Sequence, residues 1–257
     1  MGKTDDFKIE YFTSMDKKYY DHCGKAMIHS FATNFKSQRL NLYNEGWFTP
    51  TVGNKSLFLR GWNLGKQYNL FQRRWKDTSR TKQFAKKAYS IIDGMNKIDC
   101  DRLVWLDADT IVKAGIPAQL IRLMCPDDTL SAHFGVWHQQ DEKWYFSCET
   151  GFFILNQNHE HYQKFVDIYT RIYDHDDTEG MRRFYDGEVY GKALLELKKQ
   201  VDVRYCELNP GKHKTPISRS VMAPYINHYK AGVKENLNNG DLIELVDSVN
   251  AETDNSI

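Results

Sequence analysis

Hydrophobic and polar positions along this chain change period several times, and each change predicts an element. KIEYFTS (8–14) is a short β-rich run, and KKYYDHCGKAMIHSFATNF (17–35) then spaces its apolar residues as a helix does. LNLYN (40–44) predicts a second strand, whereas residues 45–65 mix glycines and aromatics without period and read as loop. From Thr78 to Asn96 the spacing of Phe84, Ala88, Ile91, Ile92 and Met95 predicts a helix with one buried stripe. RLVWL (102–106), bounded by acidic residues at both ends, predicts a strand buried on both faces. TLSAHFG (129–135), GFFILN (151–156) and VDVRYCEL (201–208) predict further strands, with helices over 116–124, 158–174 and 187–199. Strands alternating with helices define an α/β chain with a mostly parallel central sheet flanked by helices. No repeat or linker divides it, so one domain is expected over 1–236, followed by a polar, mobile tail over 237–257.

Composition narrows the partners. The 257 residues carry 35 basic and 34 acidic side chains, a formal charge of +1, so no bulk field favours nucleic acid or an anionic membrane. Hydrophobic residues make up 41%, enough for a core at this length, and no apolar run is long enough to span a membrane. The five cysteines form no CxxC pair, which argues against a zinc knuckle or a disulfide framework. Asn54-Lys55-Ser56 is a glycosylation sequon without a secretory signal before it.

The sharpest chemistry is Asp107-Ala108-Asp109, which follows RLVWL directly. In open α/β sheets ligands bind beyond the carboxyl ends of strands, and two carboxylates there can share a hard cation such as Mg²⁺ or Mn²⁺. An exposed turn that caps the next helix is the bland alternative. LDADTIV also partly resembles the DxDxT nucleophile loop of haloacid-dehalogenase-like phosphatases, in which the first Asp attacks phosphorus. Ile111 stands at that loop's Thr, and about 100 residues precede the motif, so this reading is the runner-up.

Five segments together favour another chemistry. CDRLVWLDADTIV resembles the core of metal-dependent GT-A-fold glycosyltransferases, most of all the glycogenin and lipopolysaccharide galactosyltransferase group. EYFTSMDKKYY resembles that group's first strand and base-cradling loop, and Glu149 to Asn156 its Gly-opened strand ending in "LIN". Tyr185-Asp186-Gly187-Glu188 sits where the group carries a DQD-like motif, with Gly187 in place of the Gln. His228 to Lys234 resembles its H-x-x-G-x-x-K segment with the Gly shifted by one position.

The resemblance implies a GT-A (Rossmann-like) fold and transfer of a sugar from a nucleoside-diphosphate donor, a UDP-sugar ahead of a GDP-sugar, to a glycan or other hydroxyl acceptor. Asp107, Asp109 and His228 would hold Mn²⁺, or Mg²⁺, on the donor diphosphate. The imidazole favours Mn²⁺. Lys234 and Lys86 would reach the phosphates, and Thr13, Ser14 and Asp16 the base and ribose. Glu149 and Asp186, each within two residues of a glycine, are the candidate catalytic carboxylates. The stretch GVWHQQDEKWYFS (135–147) reads either as an acceptor-holding loop or as a packed hairpin. Arg73, Arg74, Trp75 and Lys76 form a short basic patch, read as surface or diphosphate funnel rather than nucleic-acid site. A soluble, cytoplasmic enzyme of bacterial or viral origin is expected.

Overall fold

The structure is a computed structural model and describes residues 7–46, 48–50, 57–60, 65–75, 79–209, 217–229 and 243–244. The chain opens with β1 (Ile9–Met15), then α1 (Lys17–Tyr19) runs through a wide helical turn, Tyr20–Gly24, into α2 (Lys25–Asn34). Next come β2 (Leu40–Asn44), β3 (Leu57–Arg60), α3 (Gly65–Arg74) and α4 (Ser79–Lys97). The middle of the chain forms β4 (Arg102–Leu106), β5 (Thr110–Val112), α5 (Ala118–Met124), β6 (Thr129–His133), β7 (Gly135–Gln140), β8 (Lys143–Cys148) and β9 (Phe152–Asn156). It closes with α6 (Tyr162–Asp174), α7 (Asp186–Gln200), β10 (Arg204–Glu207) and β11 (Ile226–His228).

Seven strands make the central sheet in the order β10-β6-β9-β4-β1-β2-β3. All run parallel except β9, which is antiparallel to both β4 and β6. Alternation along each strand divides the core. Phe12, Trp105, Phe153 and Leu155 face the layer formed by α4, α6 and α7. Tyr11, Val104, Leu106 and Ile154 face α2 and α5. All five residues of β4 are buried, the apolar run LVWL as a strand covered on both faces requires and Arg102 ahead of it as well. The five cysteines are unpaired.

Strand order reverses between β1, which leads outward to β2 and β3, and β4 on its other side. In doubly wound sheets this reversal opens a crevice at the carboxyl ends of the strands. Asp107 lies at that end of β4.

One expectation needs correction, and of the two readings of 135–147 the hairpin is the one seen. Residues 45–65 are not all loop, because β3 and the first residue of α3 fall within them. β3 is an edge strand whose Phe58 and Leu59 are 44% and 49% exposed, so no buried face marks its sequence with a period. The stretch 135–147 is the β7–β8 hairpin, paired from Gly135↔Cys148 to Gln140↔Lys143. Its tight turn holds Asp141 and Glu142 at φ 49° and 63°, the left-handed region that such turns demand. Apart from residues 243–244 the expected tail lies outside the described residues, as do the sequon and Lys234.

Candidate active site

Three backbone devices bring the acidic pair and a distant histidine together. Asp107 N–H donates to Gly151 O at 3.0 Å, and Thr110 N–H to Asp107 O at 3.0 Å, which turns the chain from β4 into β5. β11 then pairs antiparallel with β5, setting His228 opposite Thr110. Tyr229 N–H donates to Asp109 O at 3.1 Å and continues that ladder. The third device is an absence of bulk: a Cβ on Gly151 would come within 2.7 Å of the His228 ring.

His228 Nε2 consequently lies 3.0 Å from Asp109 Oδ1 and 3.7 Å from Asp107 Oδ2. One donor atom from each of the three residues falls within 4.8 Å of the others. Two hard carboxylate oxygens with one imidazole nitrogen fit a borderline divalent ion such as Mn²⁺ better than Mg²⁺. Behind the ring, Glu149 Oε1 is 3.6 Å from Nδ1, the side on which metal-binding imidazoles commonly have a carboxylate.

Lys87 organises the other half of the site. Its Nζ lies 2.6 Å from both Asp107 Oδ1 and Asp186 Oδ2, and donates to Thr150 O at 3.0 Å. The ammonium also sits 5.4 Å from the centre of the Trp105 ring, whose Nε1–H donates to Asp107 Oδ1 at 2.9 Å. Thr150 Oγ1–H donates to Asp186 Oδ2 at 2.6 Å. Asp186 opens α7, where the helix dipole adds further support for a negative charge.

These contacts decide the protonation of each group. Burial opposes the charge on Lys87, yet Asp107 and Asp186 hold its ammonium well above the ordinary lysine value. Burial pushes the Asp107 carboxyl up and Asp109 adds to the rise, against the pull of Lys87 and His228. Asp186 goes the other way: burial would raise it, but Lys87 and Thr150 hold it below the usual carboxylate range. Burial alone would lower His228, and Asp109, Glu149 and Asp107 outweigh it to raise the imidazole above its ordinary value near 6.5.

A cavity of about 500 Å³ lies over these groups, and Ser14, Asp16 and Glu45 line its far wall. The β7–β8 hairpin closes one side. His138 and Ser147, joined at 2.8 Å, face the cavity, while Trp137 and Trp144 on the outer face are 52% and 54% exposed. Arg182 also lines it, but Glu188 takes that guanidinium at 2.9 Å together with the Arg182 and Arg183 amides, so Glu188 fixes a loop.

Of the residues singled out from sequence, Asp107, Asp109, His228, Glu149, Asp186, Ser14 and Asp16 share this cavity. Asp16 also caps α1, its Oδ1 accepting from Tyr19 N–H at 2.8 Å. Thr13 is fully buried in β1 and does not line the cavity. Lys86 does not line it either; the neighbouring Lys87 is the lysine that reaches the acidic pair. Glu45 was missed. Gly187 leaves no room for the glutamine its resembled group carries, since a Cβ there would lie 2.3 Å from Cys148 O.

No protein-family model matches the chain, and neither does any curated protein sequence. Solved structures do. The galactosyltransferase LgtC, solved with donor and acceptor sugar analogues, superposes at a TM-score of 0.58 and 14% identity, covering 93% of this chain and 95% of its own. Mouse xyloside xylosyltransferase 1 gives 0.53 at 10% identity, with 88% and 98% covered. The bifunctional glycosyltransferase WbbM gives 0.57 at 15% identity; 96% of this chain is covered, and it spans half of the WbbM chain. The fold is therefore that of the GT-A-type glycosyltransferases. Within that fold, Asp107 and Asp109 stand as a DxD pair at the carboxyl end of β4.

Proposed function

We propose that this protein transfers a sugar from a nucleoside-diphosphate donor to a hydroxyl acceptor, with a divalent cation at Asp107, Asp109 and His228. The observation that carries this reading is the convergence of those three side chains at the strand-order reversal of a GT-A-type sheet. When bound, the cation would neutralise charge developing on the departing diphosphate. Asp109 and His228 would hold it together with Asp107, whose Oδ1 is fixed by Lys87 while its Oδ2 faces His228.

The two candidate carboxylates then take different parts. Asp186 is committed to Lys87 and Thr150 and has lowered basicity, so it acts as a positioning residue. Glu149 lines the cavity beside His228 and is the better placed to meet the reacting sugar or the acceptor hydroxyl. The aromatic β7–β8 hairpin would carry acceptor contacts. The phosphatase alternative is not favoured, because Asp107 Oδ1 is already held by Lys87 and Trp105 rather than presented as a nucleophile.

Isothermal titration of UDP and GDP, with and without Mn²⁺, tests the reading on wild type and Asp109→Ala. Mn²⁺-dependent binding that disappears in the variant supports it and identifies the base. Binding of neither diphosphate, with hydrolysis of a simple phosphate ester in Mg²⁺, would overturn it. Asp186→Asn should slow transfer at least about a hundredfold through loss of Lys87 positioning, and Glu149→Gln by a similar factor through the reacting centre.

A further inference from the structure

Beyond the metal-binding candidates the cavity runs on to the ends of β1 and β2, where it holds a carboxyl that the chemistry above does not use. Glu45 follows β2 directly, and its N–H donates to Met15 O at 3.1 Å, carrying the β1–β2 ladder one residue further. Ser14 Oγ–H donates to Glu45 Oε1 at 2.6 Å and fixes the carboxyl on the cavity wall. Burial pushes this group up to about 7, although Ser14, Lys86 and Lys87 pull it down. A carboxyl kept in a cleft at such a cost, with no lysine or arginine bonded to it among the described residues, is a candidate for ligand contact.

Its place along the sheet says which part of a ligand it meets. β2 is two strands from β4, and strands lie roughly 4.8 Å apart, so Glu45 stands about 10 Å along the crevice from Asp107. If a diphosphate occupies the Asp107 end, the nucleoside is the portion that extends to Glu45. Two hydrogen bonds donated to its carboxyl would favour the ionised form, which offers acceptors alone, two oxygens in one plane, and so matches two adjacent donors. A nucleoside presents that pattern in two places: the ribose 2′ and 3′ hydroxyls, and the N1–H with the 2-amino group of guanine. Uracil shows a single N–H between two carbonyls and does not match. Dinucleotide-binding βαβ units use the first pattern, with an acidic residue bonded to the ribose 2′-hydroxyl.

We propose that Glu45, oriented by Ser14, determines nucleoside specificity by accepting two hydrogen bonds from adjacent donors on the donor nucleoside. The proposal deepens the transferase reading and rests on it. It is tested by titrating UDP, GDP, IDP, 2′-deoxy-UDP, 2′-deoxy-GDP and inorganic pyrophosphate, each with Mn²⁺, into wild type, Glu45→Gln and Glu45→Asp. Glu45→Gln keeps the size but replaces one acceptor with a donor, and should weaken the best nucleoside diphosphate about tenfold or more. Pyrophosphate binding should stay within about twofold, and Glu45→Asp should keep part of the lost affinity.

Loss of a GDP-over-IDP preference in Glu45→Gln assigns the contact to guanine, and loss of a ribo-over-deoxy preference assigns it to the ribose. Nucleoside diphosphate affinities that stay within about twofold of wild type in Glu45→Gln, with an unchanged unfolding temperature, would overturn the proposal while leaving the transferase reading intact. Failure of wild type to bind pyrophosphate or any nucleoside diphosphate would remove the transferase reading itself, and this inference with it.

Discussion

The two ends of β4 carry charge in opposite ways. At its start, Arg102 is 1% exposed and each nitrogen of its guanidinium has an acceptor: Cys125 O, Asp101 O, Asn156 Oδ1 and Asp127 Oδ1. One cation there is matched to one mostly exposed carboxylate and three neutral oxygens. At its finish, Asp107, Asp109, Glu149 and Asp186 converge on Lys87 and a titratable imidazole. The first arrangement is complete without a ligand, whereas the second gathers more negative charge than its own cation offsets. The wall beyond the first end is also acidic, with Asp127, Asp128 and Asp202, yet Arg102 and Arg204 answer two of these. A surplus of buried carboxylates, rather than acidity as such, distinguishes the binding end of this sheet from its structural end.

The sharpest way to break that comparison is to remove the cation at each end. Lys87→Met should have the largest effect, because it leaves Asp107 and Asp186 buried without a counter-charge; a loss of about 3–5 kcal/mol is expected. The damage should grow as pH rises through the carboxylate range, and Mn²⁺ should restore part of it in thermal melts. Arg102→Met should cost somewhat less, about 3 kcal/mol, since Asp127 can turn to water, and Mn²⁺ should not rescue it. If both variants respond alike to Mn²⁺, the contrast between the two ends fails.

A smaller effect follows from His228. Its imidazole is raised in the folded state, so its pairing stabilises the metal-free protein fully below its ordinary value near 6.5. That contribution is lost as pH rises through the raised folded value, and unfolding temperatures should fall across that window in wild type but not in His228→Ala. Mn²⁺ affinity should rise over the same window, because the imidazole must shed its proton to bind. Least of all, Arg204→Ala should leave melting and binding unchanged, since the Arg204–Asp128 pair is exposed.

Much of this was legible from residue order. RLVWL could be recognised as a buried strand because both of its faces are covered, and the four residues after Arg102 show no polar alternation. The acidic pair followed from the rule about strand ends. The same rule applied to LNLYN would have reached Glu45, one residue past β2, but the surrounding aperiodic stretch hid it. Lys86 and Lys87 are about 100° apart on α4, and buried residues flank both. The helix's own pattern does not choose between them; the position of the β4 end does. β5 and β11 have three residues each, too few for alternation to be read. Only their pairing places His228.

That last pairing has a consequence for how the protein comes into being. The carboxylates that follow β4 and the imidazole of β11 are separated by about 120 residues of chain, a long loop to close. All seven strands of the central sheet have been synthesised by Glu207, before His228 leaves the ribosome. A nascent chain can thus assemble its main scaffold while its triad is still two-thirds complete. Domains fold as units during synthesis, and in this one the capacity to capture a metal ion would arrive late, after the sheet that must support it.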